Sequence, residues 1–219
     1  MSRFVGICCL GLVFSTLSTG CSLAQNSPFI EVEFTNPQLI PPHWLMKLNP
    51  DGSGRFDSDF AKSPDPAQAK TPEVHRTIQL STTFADRVFA TARSHKIFAI
   101  ACESNLKVAF QGKKRLTYSG PEGTGSCTYN YSKDKEIQSI GDALVGVSAT
   151  IQYGARLEFL LQHDRLGLDK EMGDLAAAQH DGNALEMGSI REILERLAND
   201  DQVLDRVRKR ARLLLATVH

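Results

Sequence analysis

The chain has 219 residues and carries 25 basic and 25 acidic side chains, so no global field draws it to nucleic acid or to an anionic surface. With 42% of its residues apolar, it has the material for a sizeable core. Function must therefore be sought in local patterns.

Met1-Ser2-Arg3 supplies a positive start, and the apolar run from Phe4 to Leu17 has the length of a signal h-region, too short for a comfortable membrane span. We read residues 1–24 as a signal peptide cleaved after Ser22-Leu23-Ala24, giving a periplasmic or secreted protein that starts at Gln25. The alternative is a lipobox at Thr19-Gly20-Cys21, which would make a lipoprotein anchored at Cys21; a membrane enters the reading only by that route. Cys8, Cys9 and Cys21 fall in the leader, so Cys102 and Cys127 are left in the body. In an oxidising compartment they predict one disulfide. A cysteine nucleophile or metal pair would need a nearby histidine, and neither cysteine has one in its local sequence.

Ile30, Val32 and Phe34 alternate with Glu31 and Glu33, the period of a strand with one wet face. After the stiff Pro37, Pro41 and Pro42 connection, Trp44, Met46 and Leu48 alternate again, and Asn49 to Gly54 is a strong turn followed by a return strand through Phe56 and Phe60. Asp51, Ser53, Asp57 and Asp59 could ring a cation, but no glutamate stands at the twelfth position of an EF-hand order. Residues 61–72 read as an exposed linker loop. Val74, Ile78 and Leu80 resume a strand, and Ser81 to Thr83 offers caps to a helix that buries Phe84, Val88, Phe89 and Ala92.

From Leu106 to Asp134 the pattern predicts a three-stranded antiparallel meander. Leu106, Val108 and Phe110 form the first alternating run, Gly112-Lys113 the turn, Leu116 and Tyr118 the return, and Cys127, Tyr129 and Tyr131 the third run. Gly120 and Gly125 have P-loop spacing, but the lysine is missing and a strand, not a helix, follows. Tyr118, Tyr129 and Tyr131, beside this glycine loop and free strand edges, are the candidate partner surface, suited to an extended peptide or envelope protein joining by strand addition.

A long helix follows from Asp134 to about His163, with Ile137, Ile140, Leu144, Val147 and Ile151 on one seam. Gly141, Gly146 and Gly154 lower its propensity, which predicts close packing at one of them or a kink near Gly154, where the apolar phase shifts. Three further helices are predicted: one to about His180, one opened by a Ser189/Glu192 capping box, and one from Val203 to about Thr217 that buries Leu204, Val207, Ala211 and Leu214. The last has a basic side of Arg206, Arg208, Lys209, Arg210 and Arg212; without aromatics for stacking it reads as a solvated face. His163-Asp164 and His180-Asp181 are residue types that suit a hydrolytic metal centre, and equally suit helix ends. No motif calls for a cofactor, a catalytic residue or a complete metal site.

Gly112-Lys113-Lys114, the run Tyr118 to Cys127, Asn130-Tyr131-Ser132 and the run His163 to Asp169 together resemble a family of exported bacterial proteins without an assigned activity. That resemblance implies an envelope location and transfers no ligand or catalytic residue. The expected fold is α+β: an antiparallel sheet with covering helices over residues 25–133, and a helical region over residues 134–219 that ends in a C-terminal bundle. The expected function is a non-enzymatic partner-binding or structural module, with a metal-dependent hydrolase using the two His-Asp pairs as the alternative.

Overall fold

The computed structural model describes residues 27–59 and 72–218. The leader, Cys21, Gln25 and most of the predicted linker loop lie outside the described residues. Six strands form one antiparallel sheet: β1 (Phe29–Thr35), β2 (His43–Leu48), β3 (Ser53–Ser58), β4 (Val74–Gln79), β5 (Lys113–Gly120) and β6 (Gly123–Tyr129), in the order β4-β3-β2-β1-β5-β6. Five α-helices accompany it: α1 (Thr82–Ser94), α2 (Lys135–His163), α3 (Leu168–His180), α4 (Arg191–Asn199) and α5 (Asp205–Leu215). The protein is α+β, with a helical C-terminal part.

The period of two sets the sheet's faces. Ile30, Val32, Phe34, Trp44, Met46, Leu48, Phe56, Leu116, Tyr118 and Tyr129 point inward and are buried against α1 and the first half of α2. The other face is wet, and its opposite charges meet across strands: Glu31 stands opposite Lys47, and Glu33 opposite Arg115. Ser81 caps α1 by accepting from the Phe84 N–H at 3.1 Å. Its own N–H and hydroxyl donate to Glu186 at 2.6 and 2.9 Å, tying the start of α1 to the bundle.

The 29-residue α2 is about 43 Å long and serves two cores. From Ile137 to Ala155 its buried apolar residues belong to the sheet core; Leu157 and Leu161, with the half-buried Tyr153, belong to a second core shared with α3, α4 and α5. The apolar phase shift near Gly154 is this change of partner, and the helix runs through it without a break. Gly154 and Gly141 are points of close approach: a Cβ at the former would collide with the Ile190 side chain, and at the latter with the Tyr129 hydroxyl.

Three local expectations fail. Leu106, Val108 and Phe110 do not form a strand; β5 and β6 make a two-stranded hairpin turning at Pro121-Glu122, and β1 is the other neighbour of β5. The first run alternates as a strand does, but both edges of β5, on which it would fold back, are taken by β1 and β6, so it has no partner strand. The Ser189/Glu192 capping box is absent: Ser189 lies inside a 3-10 turn, Met187–Ile190, and Ile190 precedes α4. Leu204 precedes α5 and is 43% exposed, while Val203 takes the buried position.

Candidate functional site

The three tyrosines divide. Tyr118 and Tyr129 are 0% and 1% exposed, so they pack the core and cannot present a surface. Both hydroxyls have partners: Tyr118 donates to the exposed Glu122 of the β5–β6 turn, and Tyr129 donates to the buried Ile137 carbonyl at 2.9 Å. Burial pushes the Tyr129 phenol well above its ordinary range, so it stays a neutral donor. Only Tyr131 retains access to solvent, half-buried at the wall of a groove.

The β6 edge expected to accept a strand is covered. Gly125 packs against the Ile97 carbonyl and the Ala99 N–H, Cys102 is bonded to Cys127 with 5.7 Å between Cα atoms, and the Ser104 N–H donates to the Tyr131 carbonyl at 2.9 Å. Beyond Ser104 the chain is strapped by Asn130. Its N–H donates to Glu103 at 2.7 Å, its side-chain amide donates to the Ala109 carbonyl at 3.1 Å, and its Oδ1 accepts from the Gln111 N–H at 2.7 Å. The strapped loop leaves Leu106, Val108 and Phe110 exposed at 50%, 40% and 50%.

The groove beside that loop has a volume of about 830 Å³. It lies where the end of the β5–β6 hairpin meets the start of α2, with α1 and the Gly182 to Leu185 segment at its sides. Its charged lining is Arg87, Lys114, Lys133, Lys135 and Asp142: four cations and one carboxylate. Lys114 occupies an inward position of β5, where an apolar residue would ordinarily stand, and its side chain is only 4% exposed. Its ammonium lies 3.3 Å from Asp142, over the Tyr129 ring at 5.5 Å. Gln138 donates to both Asp142 oxygens at 2.9 and 2.8 Å, and its own carbonyl accepts from the Ser132 N–H at 2.9 Å. Among the described residues, Arg87, Lys133 and Lys135 are not ion-paired. This groove was missed in the sequence; the one signal was Lys114, a lysine at a core-facing position of an alternating strand.

The remaining candidates are explained by structure. His163 closes α2 and packs, tilted, on the Phe159 ring at 4.6 Å between ring centres, and Asp164 accepts from the Gly167 N–H; His180 closes α3, with Asp181 as its cap. The two pairs thus sit at opposite ends of α3, about 18 Å apart by helical rise. The metal-hydrolase alternative loses its constellation. Among the described residues no group of three His, Cys, Asp or Glu is arranged to hold a metal ion.

The basic residues of α5 are spent on partners: Arg206 and Arg210 on Asp169, both at 2.7 Å, and Lys209 on Asp205 at 2.8 Å. Asp51 accepts from the Ser53 N–H and hydroxyl as a turn-former, while Asp57 pairs with Arg55 and His75 and Asp59 with His43.

Fold and site together define an α+β protein with an open antiparallel sheet, the Cys102–Cys127 disulfide and a basic groove at the sheet–helix junction. No family model and no curated protein matches the chain. Among the described residues no helix is long and apolar enough to cross a membrane.

Proposed function

We propose that the protein is an exported, non-enzymatic envelope protein that holds an anionic group of a partner in the groove above Lys114. The observation that carries this reading is the charge placement: a lysine almost removed from water faces the groove, three further cations surround it, and one carboxylate opposes them. A low-dielectric floor strengthens attraction for an incoming anion relative to an exposed lysine patch. No nucleophile with an activating base accompanies these cations among the groove residues, so binding rather than turnover is the chemistry they support. The soluble test is an NMR titration of the chain from Gln25 onward, which carries every described element, with pyrophosphate as probe. Shifts should centre on Lys114, Lys133 and Lys135 and vanish in Lys133→Glu/Lys135→Glu; an unmoved spectrum overturns the reading.

Export rests on the leader pattern and the family resemblance, and the Cys102–Cys127 bond is compatible with an oxidising compartment. Intact mass of the protein taken from its host's envelope tests it. A chain starting at Gln25 supports free export, and a diacylglyceryl increment on Cys21 would assign the lipoprotein instead. Retention of residues 1–24 overturns both.

A further inference from the structure

We infer that the partner presenting the anion is an anionic phospholipid bilayer, on which the protein docks through the Leu106–Val108–Phe110 loop and the groove together. The inference rests on the anion-binding reading of the groove and names its partner.

Leu106, Val108 and Phe110 are 40–50% exposed and stand together within five residues, whereas the other exposed large apolar side chains among the described residues, Leu39, Leu166, Leu204 and Leu213, are scattered singly along the chain. The loop is not loose. Asn130 grips it through Ala109 and Gln111, and the disulfide and Glu103 fix its base, so the three side chains are presented rather than left over. Such a pre-formed apolar projection is what a membrane interface accepts at low ordering cost. Phe110 is followed by Gln111, which itself lines the groove, so apolar prongs and cationic pocket adjoin.

Charge complementarity selects the bilayer. Lys107 stands among the apolar residues and Lys113 is exposed shortly after them, while Lys133 and Lys135, exposed, line the groove with Lys114 and Arg87. The carboxylates nearby are fewer than these six cations: Asp142 is paired with Lys114, Asp134 and Glu136 face His95, and Glu103 is turned to the Asn130 and Ser104 N–H groups. Apolar insertion beside several lysines is the combination that anionic interfaces reward, each cation adding to the attraction. A phosphate headgroup would enter the groove while acyl chains receive the loop.

The test is vesicle co-sedimentation of the chain from Gln25 onward, which removes Cys21 and any lipid on it. Vesicles are phosphatidylcholine alone, or phosphatidylcholine with 30% phosphatidylglycerol, run beside the pyrophosphate titration. Binding should require phosphatidylglycerol and fall by roughly tenfold or more in Leu106→Ser/Val108→Ser/Phe110→Ser and in Lys133→Glu/Lys135→Glu. The loop variant, altered only at exposed positions, should keep its pyrophosphate shifts, which also reports that it is folded. Pyrophosphate binding without vesicle binding overturns the bilayer as partner and leaves the groove reading standing. Equal binding to both vesicle types, or a loop variant that binds as the parent does, likewise overturns it. Failure of both probes overturns the groove reading as well.

Discussion

Lys114 Nζ stands 3.3 Å from Asp142 Oδ1, and the two partners meet water unequally: the lysine side chain is 4% exposed and the aspartate 55%. Removing the aspartate charge is therefore the more damaging change. Asp142→Asn leaves the nearly buried ammonium without its counter-charge and should lower unfolding free energy by about 1–3 kcal/mol, solvent offsetting part of the full buried-pair cost. Lys114→Met keeps the stem and drops the charge, and should cost less than about 1.5 kcal/mol. Urea denaturation of both variants checks this; equal losses would contradict the asymmetry.

Gly141 and Tyr129 form a second coupled pair. A Cβ at position 141 meets the Tyr129 hydroxyl, which donates to Ile137 at 2.9 Å. Gly141→Ala should destabilise by about 1–3 kcal/mol through overpacking, in spite of its better helix propensity. Tyr129→Phe alone should cost about 1 kcal/mol for the lost hydrogen bond. In the double variant the hydroxyl that caused the clash is gone, so the summed cost should shrink. Simple additivity of the two thermal or urea measurements would refute the clash.

The disulfide closes a separation of 25 residues, for which chain entropy predicts about 3.5 kcal/mol. Reduction should lower the denaturation midpoint accordingly and raise amide exchange over residues 103–111, whose base it pins. Exchange unchanged there would mean that Asn130 alone holds the loop.

On the wet face, His75 sits 2.8 Å from Asp57 and 2.9 Å from Glu73, and these hydrogen bonds, Asp57's first, raise its pKa above the ordinary histidine value. Arg55 and His75 hold Asp57 below the usual carboxylate range. A raised folded pKa means that the His75 contribution is fully present below the unfolded histidine pKa and is lost as pH rises through the folded one. The Asp57 contribution runs the other way, lost as pH falls through its lowered pKa. Proton NMR should find the His75 titration displaced upward, and His75→Asn should flatten stability across the neutral range; a midpoint at or below 6.5 would contradict the geometry.

Strands with a wet face were legible because their period is local: Glu31 and Glu33 between Ile30, Val32 and Phe34 announce both faces of β1. The long seam from Ile137 to Ile151 announced α2 for the same reason. Leu106, Val108 and Phe110 misled because periodicity reports side-chain alternation and says nothing about whether a neighbouring strand is available; β1 had taken the edge of β5 that they would have joined. Tyr118 and Tyr129 misled for a related reason, since an aromatic with a polar tip serves a core equally well when a Glu122 or Ile137 oxygen waits for it. The groove was illegible because Arg87, Lys114 and Lys135 come from three separate elements, and only the folded sheet–helix junction brings them together.

The continuity of α2 through both cores has a mechanical consequence. A helix whose first half seals the sheet and whose second half seats α3, α4 and α5 makes each half the other's foundation. Fraying of the bundle withdraws support from the turns carrying Gln138 and Asp142, while a load applied at the groove is carried along the same rod to the bundle. Sheet and bundle should melt in one transition, and a truncation after Ala155 should cost the groove its order as well as the bundle its scaffold.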